Sequence, residues 1–304
     1  MNFFDLQING YGGIDFNQDD LDAEGLHTAC IKLREDGVAS ILATVITEKT
    51  ESMTTRLSNL VALREQDPVA AELIKGFHIE GPFISPEKGY VGAHPVDAVR
   101  PADVDTMQRL LDAGGGLTRI VTLAPEQDSG LAVTRMLAEQ GITVSAGHCN
   151  PSRDQLEAAL DAGLSMFTHL GNGCLMEMHR HDNIIQRALS FADRLWTCFI
   201  ADGTHIPFFV LRNYLRVTGL DRAIVVTDAI APAGLGPGRY TVSRWDLLIG
   251  DDMVARAPDG SHFVGSAVTM AQTHRNLVDH VGLSEAEAIQ LTSTNPRHAL
   301  ASCE

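Results

Sequence analysis

Apolar residues gather along this chain in short runs. The runs are Phe3–Ile8, Val38–Ile46, Leu73–Ile79, Ile120–Leu123, Ile142–Ala146, Leu164–Phe167, Trp196–Ile200 and Ala223–Val226. Each is rich in aliphatic and β-branched side chains, as strands covered on both faces are. Between them, polar and apolar positions alternate with helical spacing over 21–36, 50–65, 104–113, 130–140, 155–162 and 208–218. The helix after the fifth run is expected to open at Asn150-Pro151 and to stop at Gly163, following the preference for proline just inside a helix and glycine just past it. Eight strand-like runs, nearly all separated by helices, predict an α/β fold. That repeat favours a closed (β/α)8 TIM barrel over an open doubly wound sheet. Residues 1–304 read as one catalytic barrel domain. A Gly/Pro-rich stretch after Asp228 leads to the runs 240–242, 247–249 and 253–255, expected to form a small β-hairpin insertion around 240–265. Terminal helices are expected over 268–281 and 284–292, the second opened by the capping-box pattern Ser284-x-x-Glu287.

Polar residues stand where the strands end. Gln7 and Asn9 close the first, His78 and Glu80 the third, His148 the fifth, His169 the sixth, His205 the seventh and Asp228 the eighth. In a barrel these tips converge on the C-terminal face, where active sites are built. One carboxylate and two imidazoles, with a position left for water, form the ligand set of a catalytic zinc site. An aspartate beside such a site can serve as general base and then general acid. Plainer readings exist. Glu80 or Asp228 can cap a helix, His148 and His169 can be core histidines, and His205 can hydrogen-bond within its loop. Gln7 and Asn9 read as polar fillers of the barrel mouth. His78, two residues before Glu80 and on the same strand face, reads as support for it.

Composition narrows the class. The chain is 44% hydrophobic and 20% charged, with a formal net charge of −16. That field disfavours nucleic acid and anionic membrane surfaces as partners. No apolar run approaches the roughly 20 residues of a membrane span. The five cysteines form no CxxC pair, and the first residues, MNFFDLQING, lack a basic and then apolar leader. A reducing, cytoplasmic setting is expected.

The segments DLQING, HIEGPFISPEKGYVGAHP, VTLAPE, SAGHCNP, THLGNG, IADGTHIP, VTDAIAPAG and FVGSAVTM follow one another from Asp5 to about Pro296. Together they resemble the N-acetylglucosamine-6-phosphate deacetylase family of the amidohydrolase superfamily. The resemblance implies a metal-dependent amide hydrolase of amino-sugar metabolism. Such an enzyme converts N-acetylglucosamine 6-phosphate to glucosamine 6-phosphate and acetate. It implies Glu80, His148 and His169 as ligands of one divalent ion, Zn²⁺ first, with Fe²⁺, Mn²⁺ or Co²⁺ as alternatives and a second metal near Gln7 in some members. It implies Asp228 as the catalytic acid–base and His94 as the group that polarises the acetamide carbonyl. His205 would hold the sugar, Asn172 and the Gly173 backbone the phosphate, and Arg180 would reach the phosphate across a homodimer interface. Two departures stand out. The small β-sandwich usual in the family is not expected, which reads as a barrel-only form. The usual aromatic two residues after the second histidine is Gly171, expected to widen or loosen the pocket. The alternatives are an amidohydrolase for another N-acyl or cyclic amide substrate, and a non-catalytic barrel-only paralogue.

Overall fold

The computed structural model describes residues 2–242, 245–256 and 263–301. Eight strands form one parallel sheet in sequence order. They are β1 (Phe3–Ile8), β2 (Val38–Ile46), β3 (Ile74–Glu80) and β4 (Thr118–Leu123). β5 (Thr143–Ala146), β6 (Leu164–Phe167), β7 (Trp196–Ile200) and β8 (Ala223–Val226) complete it. The sheet curls until its first and last strands meet at the C-terminal mouth. There Ile8 pairs with Ala229, Asp228 N donates to Gln7 O at 3.0 Å and Asn9 N donates to Ala229 O at 2.7 Å. The TIM barrel expected from the eight runs is the architecture found.

Alternate positions of the strands fill the lower interior. Phe4, Leu6, Leu42, Ile120, Met166, Cys198, Ile200, Ile224 and Val226 form one buried cluster drawn from six strands. The helix Asn295–Ala301 closes this end. Ala299 joins the cluster, the Arg297 guanidinium lies 5.5 Å over the Phe4 ring, and Asn295 Nδ2 donates to Leu220 O and Ala223 O. The outer helices pack their apolar faces on the barrel in a second, larger cluster.

Details differ from the sequence expectation. The helix after β5 spans Arg153–Asp161 and is capped by Ser152, not Asn150, because Ser152 and Gln155 exchange a capping box. Asn150 N instead donates to Glu126 Oε1. The segment after β8 forms a four-stranded antiparallel sheet, Gly238–Val242, Trp245–Ile249, Val254–Arg256 and Phe263–Ser266. Its last strand lay hidden in a run that also leads into the helix at Met270.

Asp5 is built into the closing seam. It is 1% exposed, and its carboxyl accepts from Thr227 N, Thr227 Oγ1 and Gln7 N. Burial pushes this carboxyl from its ordinary 3.8 up to about 7. The folded chain thus holds the proton more tightly than the unfolded chain, and stability present near pH 4 is lost as pH rises through 7. The expected loss from this one group is on the order of a few kcal/mol, at ~1.4 kcal/mol per pH unit. Asp5→Asn is expected to flatten that slope. Urea unfolding at about pH 5 and about pH 8 measures it, and equal slopes in the two proteins would refute the assignment.

Candidate active site

Above the apolar layer the barrel interior turns polar. His78 Nδ1 lies 3.0 Å from Leu6 O and its Nε2 lies 2.7 Å from Thr122 Oγ1. Burial pushes the His78 imidazole down to about 4, so it is neutral near pH 7. A neutral ring that donates from Nδ1 to a carbonyl must accept at Nε2. The direction then propagates: Thr122 donates to His78, Thr168 donates to Thr122 at 2.7 Å, and Ser145 donates to Thr168 at 2.6 Å. Both nitrogens of His78 are used in this network, so it underlies the site and adds no donor to it.

Three atoms converge above that layer. Glu80 Oε1 lies 3.0 Å from His169 Nε2 and 3.3 Å from His148 Nε2, and the two Nε2 atoms are 3.2 Å apart. All three residues are buried. His148 Nδ1 donates to Tyr90 O at 2.7 Å, so its Nε2 presents a lone pair to the other two atoms. Zinc with ligands at ~2.0–2.1 Å gives a ligand–ligand edge of about 3.3 Å, and the observed triangle matches one such face. The residues present therefore fit a divalent cation. Burial would raise the Glu80 carboxyl, but His148 and His169 outweigh it and hold Glu80 well below the usual carboxylate range. Burial would lower His169, and Glu80 outweighs that too, raising the imidazole above its ordinary value. Gln7 Nε2 donates to Glu80 Oε1 at 3.1 Å. The β1–β2 register slips between Asp5 and Ile8, and a slip of this kind re-aims a side chain at a strand end.

The backbone at these positions is unusual. His148 has φ 50°, His169 φ 33° and Asp228 φ 50°. Left-handed conformations in residues other than glycine carry strain of order 1–3 kcal/mol and gather where structure over-determines them. Each turn lifts a side chain from the end of its strand toward the barrel axis.

Asp228 Oδ1 accepts from Asn9 Nδ2 at 2.8 Å. Burial, and then the Glu80 charge, push its carboxyl up to about 6. A carboxyl poised near neutrality can both take and give a proton. His94 comes from the long loop after β3. Its Nε2 is 3.3 Å from His148 Nε2, the two rings meeting edge-on at 4.4 Å. Burial pushes its imidazole down to about 3, and its buried Nδ1 has no hydrogen-bond partner.

His205 stands in the loop after β7. Its Nδ1 donates to Asp202 Oδ2 at 2.5 Å, while Asp202 Oδ1 accepts from Thr204 N and His205 N. Asp202 therefore fixes both the turn and the ring, a role not read from the sequence, although an Asp three residues before a His is the signal for it. Asn172 stays beside His169, donating N and Nδ2 to its carbonyl at 2.9 and 3.2 Å. Gly173, at φ 59°, lies against the His148 ring: a Cβ there would stand 2.7 Å from Nδ1. Arg180 is exposed on the same loop. A Cβ at Gly171 would lie 3.7 Å from Tyr214 Cε2 and 3.9 Å from Ile206 Cγ1, and Tyr214 stacks on Phe199.

Removal of one ligand should be decisive for metal binding. His148→Ala and His169→Ala are each expected to abolish tight Zn²⁺ binding in a calorimetric titration. Gln7→Ala, which removes the donor to Glu80 Oε1, is expected to weaken it by about 10–100-fold, the usual effect of losing an outer hydrogen-bond partner. Equal losses in all three would contradict the separation of ligands from support.

No protein-family model matches the chain. It is 32% identical over 293 residues to the N-acetylglucosamine-6-phosphate deacetylase of Bacillus subtilis (strain 168), spanning 95% of this chain and 72% of that protein. It is 29% identical to the N-acetylgalactosamine-6-phosphate deacetylase of Escherichia coli O157:H7, spanning 98% of this chain and 77% of that one. Among solved structures, a mutant N-acetyl-D-glucosamine-6-phosphate deacetylase from Mycobacterium smegmatis, in complex with N-acetyl-D-glucosamine-6-phosphate, superposes with a TM-score of 0.88. That superposition has 31% identity and covers 99% of this chain and 77% of the other. With the buried Glu80/His148/His169 cluster at its mouth, this barrel belongs to the N-acetylglucosamine-6-phosphate deacetylase family.

Proposed function

We propose that this protein hydrolyses the acetamide of an N-acetylated amino-sugar phosphate, N-acetylglucosamine 6-phosphate first, by metal-assisted amide hydrolysis. The observation that carries the proposal is the triangle of Glu80, His148 and His169 in one mouth with Asp228. A divalent cation bound there, Zn²⁺ first, supplies Lewis acidity toward the carbonyl and lowers the pKa of the attacking water.

The chain's own groups do the rest. Asn9 occupies Asp228 Oδ1 and leaves Oδ2 to take a proton from water as its oxygen adds to the acetamide carbon. The same oxygen returns that proton to the nitrogen as the C–N bond breaks, giving acetate and the free amine. His94, neutral and with a hydrogen to offer, donates to the developing oxyanion. His205, aimed by Asp202, hydrogen-bonds the sugar. Asn172, the Gly173 backbone and Arg180 receive the phosphate. The exposure of Arg180, in a loop that also exposes Leu175 at 39% and Met176 at 99%, suits a residue that serves a neighbouring copy in a homodimer. No helix among the described residues is long and apolar enough to cross a membrane. The four cysteines among them are unpaired, which suits a cytoplasmic enzyme. The N-acetylgalactosamine-6-phosphate deacetylase relative makes the C4 epimer the second substrate to assay.

Acetate release tests the proposal. The zinc-loaded protein is expected to turn over N-acetylglucosamine 6-phosphate and to leave unphosphorylated N-acetylglucosamine nearly untouched. Asp228→Asn is expected to lower kcat by about 10³-fold or more, the scale of a lost general acid–base. Arg180→Ala is expected to raise KM for the phosphosugar about tenfold or more with kcat little changed, the signature of lost uniform binding. An unchanged KM would reject phosphate recognition by Arg180. Asn9→Ala removes a hydrogen bond that lowers the Asp228 pKa, so the acidic limb of its kcat profile is expected to move to higher pH. A limb that moves lower, or not at all, would contradict that role.

A further inference from the structure

The four-stranded antiparallel sheet lies outside the barrel strands and supplies no residue to the chemistry above. Its position gives it a task. Its last strand extends the barrel seam, with Ser266 pairing to Ala229 and Ala229 to Ile8. Ser266 N donates to Asp228 O at 3.2 Å, and Ile230 N donates to Ser266 O at 2.9 Å. Asp228 is thus gripped from two sides, since its own N donates to Gln7 O of β1. Two residues on, Ile230 enters the apolar cluster on the sheet's face with Leu247, Ile249, Ala255 and Ala267. Ala93, in the long loop after β3, packs against the same cluster. The residue after Ala93 is His94. One small sheet therefore touches the chain beside Asp228 and beside His94, which belong to loops of different strands.

We infer that this sheet is a brace that sets the spacing of Asp228 and His94 across the barrel mouth, with Gly265 as the positioning residue at the Asp228 end. The inference rests on the roles proposed above for those two groups. Gly265 has φ 68°, and a Cβ there would stand 2.6 Å from Ile230 Cγ2 and 3.5 Å from Asp228 O. A side chain at 265 pushes on Ile230 and, through two peptide units, on Asp228. Small displacements of a reacting group lower the chemical step more than binding.

The test is Gly265→Ala in the full metal-loaded chain, read by kinetics and by amide hydrogen exchange. The expected kcat falls about tenfold or more, with KM within about twofold and metal content unchanged. Exchange is expected to quicken over 92–95 and over 228–230, and to stay the same over 148–150. An unchanged kcat, or a response in only one of the two segments, overturns the brace. Should Gly265→Ala fail to fold, Ala93→Gly loosens the other end without a clash, and unchanged exchange over 228–230 then overturns it. If the wild-type protein turns over no acetylated sugar, the deacetylase reading fails, and the exchange pattern alone decides the brace.

Discussion

Three buried ligand atoms gathered at one point are the constraint on which this structure turns. Glu80 Oε1, His148 Nε2 and His169 Nε2 stand 3.0–3.3 Å apart with little water to separate them. Two of the three residues are fixed by direct neighbours. The Tyr90 carbonyl fixes the tautomer of His148, Gly173 packs on its ring, and Gln7 bonds Glu80. Beneath them a directed chain from Ser145 through Thr168 and Thr122 ends on neutral His78. The same three atoms would hold a divalent cation, and a cation bound there would tie folding of the mouth to metal binding.

Closure of the barrel is what completes the site. The β1–β8 seam places Asn9 against Asp228 and Gln7 against Glu80, so the strand that begins the chain orients both carboxylates. The same seam buries Asp5 below them. An amide is a poor electrophile with a poor leaving group. The mechanism proposed above meets that problem by separating two acids: Glu80, kept well below the usual carboxylate range by two imidazoles, and Asp228, raised toward neutrality by burial. Environments that push two carboxyl pKa values apart assign their roles.

Much of this was legible in the residues. The eight apolar runs are the barrel strands to within a residue or two at most ends, because strands covered on both faces carry an unbroken apolar signal. Glu80, His148, His169 and Asp228 could be gathered from their places at strand ends, since topology alone brings those ends together. What escaped depends on features that sequence does not display. The left-handed backbone of His148, His169 and Asp228 is imposed by neighbouring loops, since none of these residues is glycine. Asp202 and the Tyr90 carbonyl act through local turns. The strand Phe263–Ser266 gains its identity from its neighbours.

Zinc-edge X-ray absorption on the metal-loaded protein tests the centre of this account most directly. One zinc per chain is expected, with scattering from two imidazoles and a carboxylate oxygen, and with the bound zinc lost in His169→Ala. Zinc with no imidazole scattering, or a spectrum unmoved by His169→Ala, would contradict the assignment of Glu80, His148 and His169 as the ligands on which the hydrolysis depends.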